Sequence, residues 1–451
     1  MTDEAQALPA APSADGHTDI LDTGEAGGAV IRGGIVRSAA YVAGVLLGLL
    51  AAPLMVRHLG VVEFGRYVTV TALIFIVGGF TEAGLNTVGL REHTNRPPSE
   101  RIALLRSLQG LRIALSLVGV AVAVAFAAAA GYGAEMVAGA AVAGAGLVLS
   151  NVLFTYQLPL LTDLKLGWTA LLDLTRQAGI VAAVGALVLV GAGLLPFFAT
   201  VAVGAAVTIL ATAPLVRRRS SLRPKIVWSE WAALLRETLP FAAATALGFA
   251  YYRVVILFTS IVAGEVTTGN FSVAFRIVEV AIGIPWLLAG SAFPILVRAA
   301  RDDADRLRYA LQRLFDVTFL VGALAALVMA VGAQFAIAIV AGEEPAEAVR
   351  AMRILGVSLV GTFPVATLGF ALLTLRAYRP LLLANLGALL LAGGLAAALV
   401  PPYGATGGAI AAAATEFALA LTYGVVVARV RPDLRPHLGV VPRVALAAGL
   451  A

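Results

Sequence analysis

The sequence contains no cysteine, which excludes disulfides, cysteine metal sites and thiol catalysis. Histidine is almost as scarce. His17, His58, His93 and His437 are the whole set, none sits near the middle of an apolar run, and no His/Asp/Glu cluster has metal-ligand spacing. Charge is thin: 13% of the 451 residues are charged, against roughly 25% in soluble domains. Lysine occurs only as Lys165 and Lys225. No basic soluble stretch is long enough to read as a nucleic-acid domain. No Walker motif, Ser-His-Asp set or carboxylate pair with a pocket is visible, so ATP hydrolysis within this chain is not expected to drive its work.

What fills the sequence instead is apolar. Hydrophobic residues make up 60% and glycine contributes 47 positions, a balance that suits a bilayer rather than water. Small residues let membrane helices approach closely, where dispersion and polar contacts hold them. A span needs about 20 apolar residues. On that measure spans are expected at 33–56, 67–90, 108–130, 134–157, 169–190, 194–216, 237–262, 270–297, 314–341, 352–375, 380–400 and 404–428. The fold class is therefore an all-α polytopic membrane protein of about 12 transmembrane helices. Residues 1–32 read as a disordered tail, lacking the basic start and short apolar core of a signal peptide. Residues 431–451 read as a second tail, in which 442–451 resemble the opening of a further apolar stretch. Either the chain is a piece of a 14-span protein or it ends there.

Arginine placement gives an orientation. The loops after the even-numbered spans, including segment 158–177, which overlaps the start of span 5, hold 22 cations, among them Arg91, Arg96, Arg101, Arg106, Arg176, Arg217, Arg298 and Arg429. The opposite loops hold four: Arg57, Arg66, Arg350 and Arg353. Both termini and the basic loops are accordingly expected in the cytoplasm. The opposite loops are too short to form an external domain.

The sequence repeats. Gly60-x4-Gly65-x-Tyr67 returns as Gly264-x4-Gly269-x-Phe271, at an offset of 204 residues. Spans 5–6 and 11–12 also match: each pair is an apolar helix, a Gly/Pro turn (193–196 and 401–404), an Ala/Gly-rich helix and then arginine. Six spans per half is an even number, so the halves are parallel: an N-lobe at 33–216, a linker at 217–236 and a C-lobe at 237–430. Two such lobes around a central site are a transporter plan.

At these residues a family becomes recognisable. RHLGVVEFGRYVTVTALI (57–74) and FTEAGLNTVGLRE (80–92) resemble the first hairpin and second span of polysaccharide flippases. GEVTTGNFSVAFRI (264–277), SAFPILVR (291–298) and PPYGATGGAIAAAATEF (401–417) resemble their spans 7–8 and the entry to span 12. The resemblance runs from about residue 33 to 430. It is to the Wzx-like branch of the multidrug/oligosaccharidyl-lipid/polysaccharide (MOP) exporter superfamily. It implies two six-helix lobes in a V around a cavity. It also implies flipping of an undecaprenyl-diphosphate-linked oligosaccharide across the cytoplasmic membrane for surface polysaccharide biosynthesis. A polysaccharide polymerase and glycosyltransferases are the implied partners, and no cofactor is implied beyond a coupling H+ or Na+. Span 1 has no Asp or Glu, unlike the drug/cation antiporters with an early acidic ion site, and the chain is shorter than the usual 14-span lipid II flippases.

A diphosphate crossing an apolar slab calls for cations along its path, and the planar fork of arginine suits phosphate oxygens. A mid-bilayer charge costs at least about 2.5–3.5 kcal/mol, so each intramembrane charge needs a reason. Arg253, next to Tyr251 and Tyr252 in span 7, is the first candidate for the cavity wall; pairing with an acid on another helix is the alternative. Arg276 and Glu279 are i, i+3 and can pair on one face of the outer third of span 8. Glu416 and Glu82 could neutralise an arginine or carry a proton. Arg37 could meet the headgroup or snorkel to the interface. Asn86 and Asn151 could bind sugars or join helices, and Arg112 reads as structural. Gly44-x3-Gly48 reads as a close-packing face, and Pro285 and Pro294 as kinks in span 8.

Two other classes compete. A cation antiporter on the same fold would present carboxylates without arginines. A membrane prenyl or glycosyl transferase would use Asp-rich loops, but Asp302, Asp303 and Asp305 alternate with Arg301, Arg306 and Arg308, as in a solvated self-paired linker.

Overall fold

The computed structural model describes residues 26–82, 84–163, 165–216, 223–435, 437 and 439. These form helices and turns, with no strand among the described residues. The helices are α1 (Ala26–Glu82), α2 (Leu85–Asn95), α3 (Pro98–Ala129), α4 (Ala134–Thr162), α5 (Leu166–Leu189), α6 (Leu194–Phe197), α7 (Thr200–Val216), α8 (Trp228–Val262), α9 (Glu265–Asp302), α10 (Ala304–Val331), α11 (Ala333–Ala341), α12 (Ala346–Thr374) and α13 (Tyr378–Val430).

Glycines turn thirteen helices into twelve spans. Gly60 breaks α1 at φ 77°, ψ 166°, and Gly404 breaks α13 at φ 58°, ψ −137°. A side chain would clash in these left-handed regions, so glycine reverses the chain there at least cost. Each of these two long helices is therefore a hairpin of two spans. α6 and α7 together make one span, and α3, α4, α5, α8, α9, α10 and α12 make one each. α2 and α11 are short.

The repeat is visible in the backbone. Gly264, at the α8–α9 turn, has φ 79°, ψ 177°, nearly the conformation of Gly60. The first six spans pack among themselves, as do the last six, and the two lobes meet chiefly where α1 lies against α8 and α9. The turns at Gly60, Gly264 and Gly404 lie at one end of the bundle, here the hairpin end. The arginine-rich connections lie at the other, the basic end.

Several boundaries differ from expectation. α1 already starts at Ala26, within the stretch read as a tail; the apolar run Ala29–Ile31 continues the first span. The second span, expected to run to 90, stops at Glu82, and α2 begins beyond Gly84, whose φ is 77°. The ninth is cut at Gly332 into α10 and α11. α9 runs as one helix from Glu265 to Asp302 and contains both Pro285 and Pro294, the expected kink positions. Residues 223–236 of the expected linker are held against the N-lobe: the Lys225 N–H donates to the Arg106 carbonyl (3.0 Å), Trp231 Nε1–H donates to the Ser107 carbonyl (3.0 Å), and Arg96 pairs with Glu230 at 2.6 Å. These contacts fasten the start of α8 to the N-lobe. Residues 1–25, 217–222 and 440–451 of the expected tails and linker lie outside the described residues.

Candidate functional site

Between the lobes lies a cavity of about 670 Å³. Its N-lobe wall includes Tyr67, Phe75 and Glu82 of α1 and Arg176 and Gln177 of α5; its C-lobe wall includes Arg253 of α8 and Phe275, Arg276 and Glu279 of α9. A second cavity of about 430 Å³ shares Arg176, Gln177, Arg276 and Glu279. It continues along Ala40, Gly44 and Gly48 of α1 and Ala170 and Asp173 of α5. These residues lie early in α1 and α5, which both start at the basic end, so the path leads from the centre toward that end.

Depth follows from helix rise. At 1.5 Å per residue, Arg253 is roughly 14 Å from the hairpin end, Arg276 roughly 17 Å and Arg176 roughly 20 Å. All three are near the middle of a core about 30 Å thick. Arg276 and Glu279 thus belong at mid-depth rather than in the outer third.

The charges are organised around one carboxylate. Glu279 Oε1 accepts a hydrogen bond from Arg253 Nη2, and its Oε2 accepts from Arg276 Nη1 at 2.9 Å. The partner of Arg253, not visible among its near sequence neighbours, is an acid on the next helix. The Arg253 guanidinium also sits over the rings of Phe75 (4.5 Å) and Phe275 (5.4 Å), favourable cation–π geometry. Phe75 belongs to the other lobe, so this contact spans the interface. Glu82 accepts from Asn86 Nδ2, and Asn86 Oδ1 accepts from Arg112 Nη2. This chain of side chains bridges the break between α1 and α2 and anchors it to buried Arg112 on α3.

Other candidates lie elsewhere. Asn151 is buried and donates to Ser116 Oγ (2.7 Å), joining α4 to α3 rather than facing the cavity. Asn86 likewise spends its amide on protein partners. Tyr251, Tyr252 and Glu416 line a separate small pocket inside the C-lobe, where the Tyr252 hydroxyl donates to Glu416 (3.4 Å). Glu416 is close-packed there: a Cβ on Gly361 would lie 3.1 Å from its carbonyl carbon. Arg37 is on α1, with its side chain outside the described residues.

Sequence reasoning missed Arg176, Gln177 and Asp173. Arg176 counts among the basic-side cations of segment 158–177, yet it also falls in the expected span 169–190, and α5, which begins at Leu166, carries it well inside the span. Asp173, Arg176 and Gln177 are i, i+3, i+4, one helix face, and that spacing was the available signal. Gly44 and Gly48 prove to floor the second cavity, with space above them limited by the Gln177 side chain.

At the hairpin end the lobes are in contact. The backbones of Gly65 and Gly269 touch. Arg66 binds Glu265 with two hydrogen bonds, at 2.9 and 2.7 Å, and also pairs with Glu63 (2.8 Å). The Tyr132 hydroxyl and Ser260 Oγ are 2.6 Å apart. The cavity is therefore closed toward the hairpin end.

Comparison with known proteins agrees with this architecture. Among solved structures, the chain is similar to an inward-closed lipid II flippase, MurJ, with a TM-score of 0.75, 14% identity, and coverage of 92% of this chain and 91% of that one. It is similar to an inward-facing multidrug resistance MATE transporter of the MOP superfamily (TM-score 0.72, 16% identity, 89% and 98% covered). It is also similar to a MOP superfamily transporter from Pyrococcus furiosus described as having a binding pocket of reverse polarity (TM-score 0.61, 16% identity, 90% and 96% covered). No curated protein matches the sequence. A family model described as polysaccharide biosynthesis protein matches residues 30–300. Twelve spans in two lobes and the glycine hairpins give the fold of those MOP-superfamily structures, and the match over residues 30–300 gives the family: the chain belongs to the polysaccharide biosynthesis protein family.

Proposed function

We propose that this chain flips an undecaprenyl-diphosphate-linked oligosaccharide across the cytoplasmic membrane by alternating access, for surface polysaccharide biosynthesis. The observation that carries this reading is the convergence of Arg253 and Arg276 on the two oxygens of Glu279. Two guanidinium groups aimed at a two-oxygen anion form a site that also suits a phosphate group. Arg176 faces the same cavity from the other lobe.

The arginine asymmetry orients the basic end toward the cytoplasm. The hairpin end is then the closed outer end, and the cavity admits cargo from the inner leaflet. The diphosphate and glycan enter while the polyprenyl tail stays in lipid. Release of the Gly65–Gly269 and Arg66–Glu265 contacts opens the outer side as the lobes rock.

A cation antiporter is the second reading. Asp173 and Glu82 on the N-lobe wall are the features it would use. The two readings separate in cells. Arg253→Ala should abolish export of the lipid-linked glycan at normal membrane abundance, whereas Asp173→Asn should leave some export. If neither variant changes glycan export while Asp173→Asn abolishes resistance to a cationic drug, the antiporter reading replaces the flippase.

A further inference from the structure

We infer that Glu279 is a displaceable internal counter-ion, which occupies the anion site of the empty carrier and yields it to the cargo. This rests on the anionic-cargo reading above and adds a residue that sets affinity and release.

Two arginines held at mid-membrane without an anion would carry a heavy desolvation penalty, and breaking a buried ion pair is costly because it strands the remaining charge. Glu279 offsets this for both, one oxygen to each guanidinium. One carboxylate against two arginines leaves this wall one positive charge in excess. On the N-lobe wall Asp173 and Glu82 outnumber Arg176, so the attraction for an arriving anion is confined to the Arg253–Arg276 wall.

The site is also reachable. The Arg276 and Glu279 side chains keep 43% and 24% of their surface exposed, and Arg253 keeps 12%. Both cavities are lined by Arg276 and Glu279, so an anion coming from the basic end meets this pair directly. Arg253 lies deeper, fixed over Phe75 of the other lobe. A doubly charged headgroup can take Arg276 first and then compete for Arg253, loosening the guanidinium from Phe75 and so from the lobe interface. When the cargo leaves, Glu279 recaptures both arginines. That return lowers the cost of release, which a site of bare arginines would raise.

The test uses the purified full-length chain in nanodiscs, with farnesyl diphosphate as probe and farnesol as uncharged control, read by calorimetry. Glu279→Gln should bind farnesyl diphosphate roughly tenfold more tightly than the unmodified chain, equivalent to about 1.4 kcal/mol. Glu279→Asp, which keeps the charge, should stay near the unmodified affinity. Arg253→Ala and Arg276→Ala should bind more weakly. If the unmodified chain binds the probe but Glu279→Gln binds it equally or less well, Glu279 is a fixed part of the wall. The counter-ion role then fails while the anionic-cargo reading stands. Tightening in Glu279→Asp as great as in Glu279→Gln would also overturn it, since size and not charge would be responsible. If no form prefers farnesyl diphosphate over farnesol, the anionic-cargo reading fails, and this inference with it.

Discussion

Gly65 and Gly269, equivalent positions of the sequence repeat, meet backbone to backbone across the lobe interface. A Cβ on Gly65 would lie 2.8 Å from the Cα and N of Gly269, and one on Gly269 would lie 2.3 Å from the Val61 carbonyl oxygen. The repeat at offset 204 is thus also the closure of the hairpin end, because each half supplies one glycine to the same contact.

This makes the closure sensitive to one methyl group. Overpacking typically costs about 1–3 kcal/mol, equivalent to roughly a 5–150-fold shift in a two-state ratio. Gly65→Ala and Gly269→Ala should each bias the chain toward an outward-open form. The absence of native cysteine makes the measurement clean. A pair of cysteines at Arg66 and Glu265, joined by a short thiol crosslinker, should react readily in the parent chain and poorly in either alanine variant. Equal yields in all three would place the closure elsewhere.

Glu347 should be a stability determinant outside the cavity. One oxygen accepts the Ala405 N–H (2.7 Å), just after the bend at Gly404, and the other accepts from Asn270 Nδ2 (2.9 Å). Hydrogen bonds to charged groups contribute about 1.5–3 kcal/mol each. Glu347→Ala should lower the thermal unfolding temperature in detergent clearly, and Glu347→Gln less so. An unchanged unfolding temperature in Glu347→Ala would show that the bend holds without this brace.

Arg112 is a buried charge tied to Glu82 through Asn86. It is 1% exposed and bonded to Asn86, and its Nε and Nη1 have no hydrogen-bond partner among the described residues. Removing one member of a buried charge network strands the others, at a cost of several kcal/mol. Arg112→Met, which leaves Glu82 without its cation, and Asn86→Ala, which leaves the guanidinium unbonded, should therefore both melt below the parent temperature. An Arg112→Met variant that melts at or above the parent in a thermal-shift experiment would show that the guanidinium contributes nothing to this brace.

Much of this architecture is legible in the sequence because the bilayer imposes simple rules. Apolar length marks the spans, arginine marks one side, and Gly60 and Gly264 mark the hairpins by chemistry that no other residue matches as well. The breaks at Gly84 and Gly332 are less legible, since both fall inside the expected spans 67–90 and 314–341 with no proline beside them. The site is legible by residue type but not by arrangement. Arg253 and Glu279 are 26 positions apart and become partners only when α8 and α9 pack. Arg176 lies in the overlap of a basic segment and an expected span, and only its place on α5 beside Gln177 puts it on the cavity wall. Glu416 looks like a cavity acid until the tight approach of α12 buries it inside the C-lobe.

The central claim is that paired arginines carry a diphosphate across the membrane. Its most direct measurement is flipping of an undecaprenyl-diphosphate-linked oligosaccharide in proteoliposomes holding the purified chain, scored by lectin access to the outer leaflet. The account predicts that the parent chain moves the glycolipid well above protein-free vesicles, and that Arg253→Ala and Arg276→Ala fall to that background while remaining folded. Flipping by both arginine variants at the parent rate would contradict it.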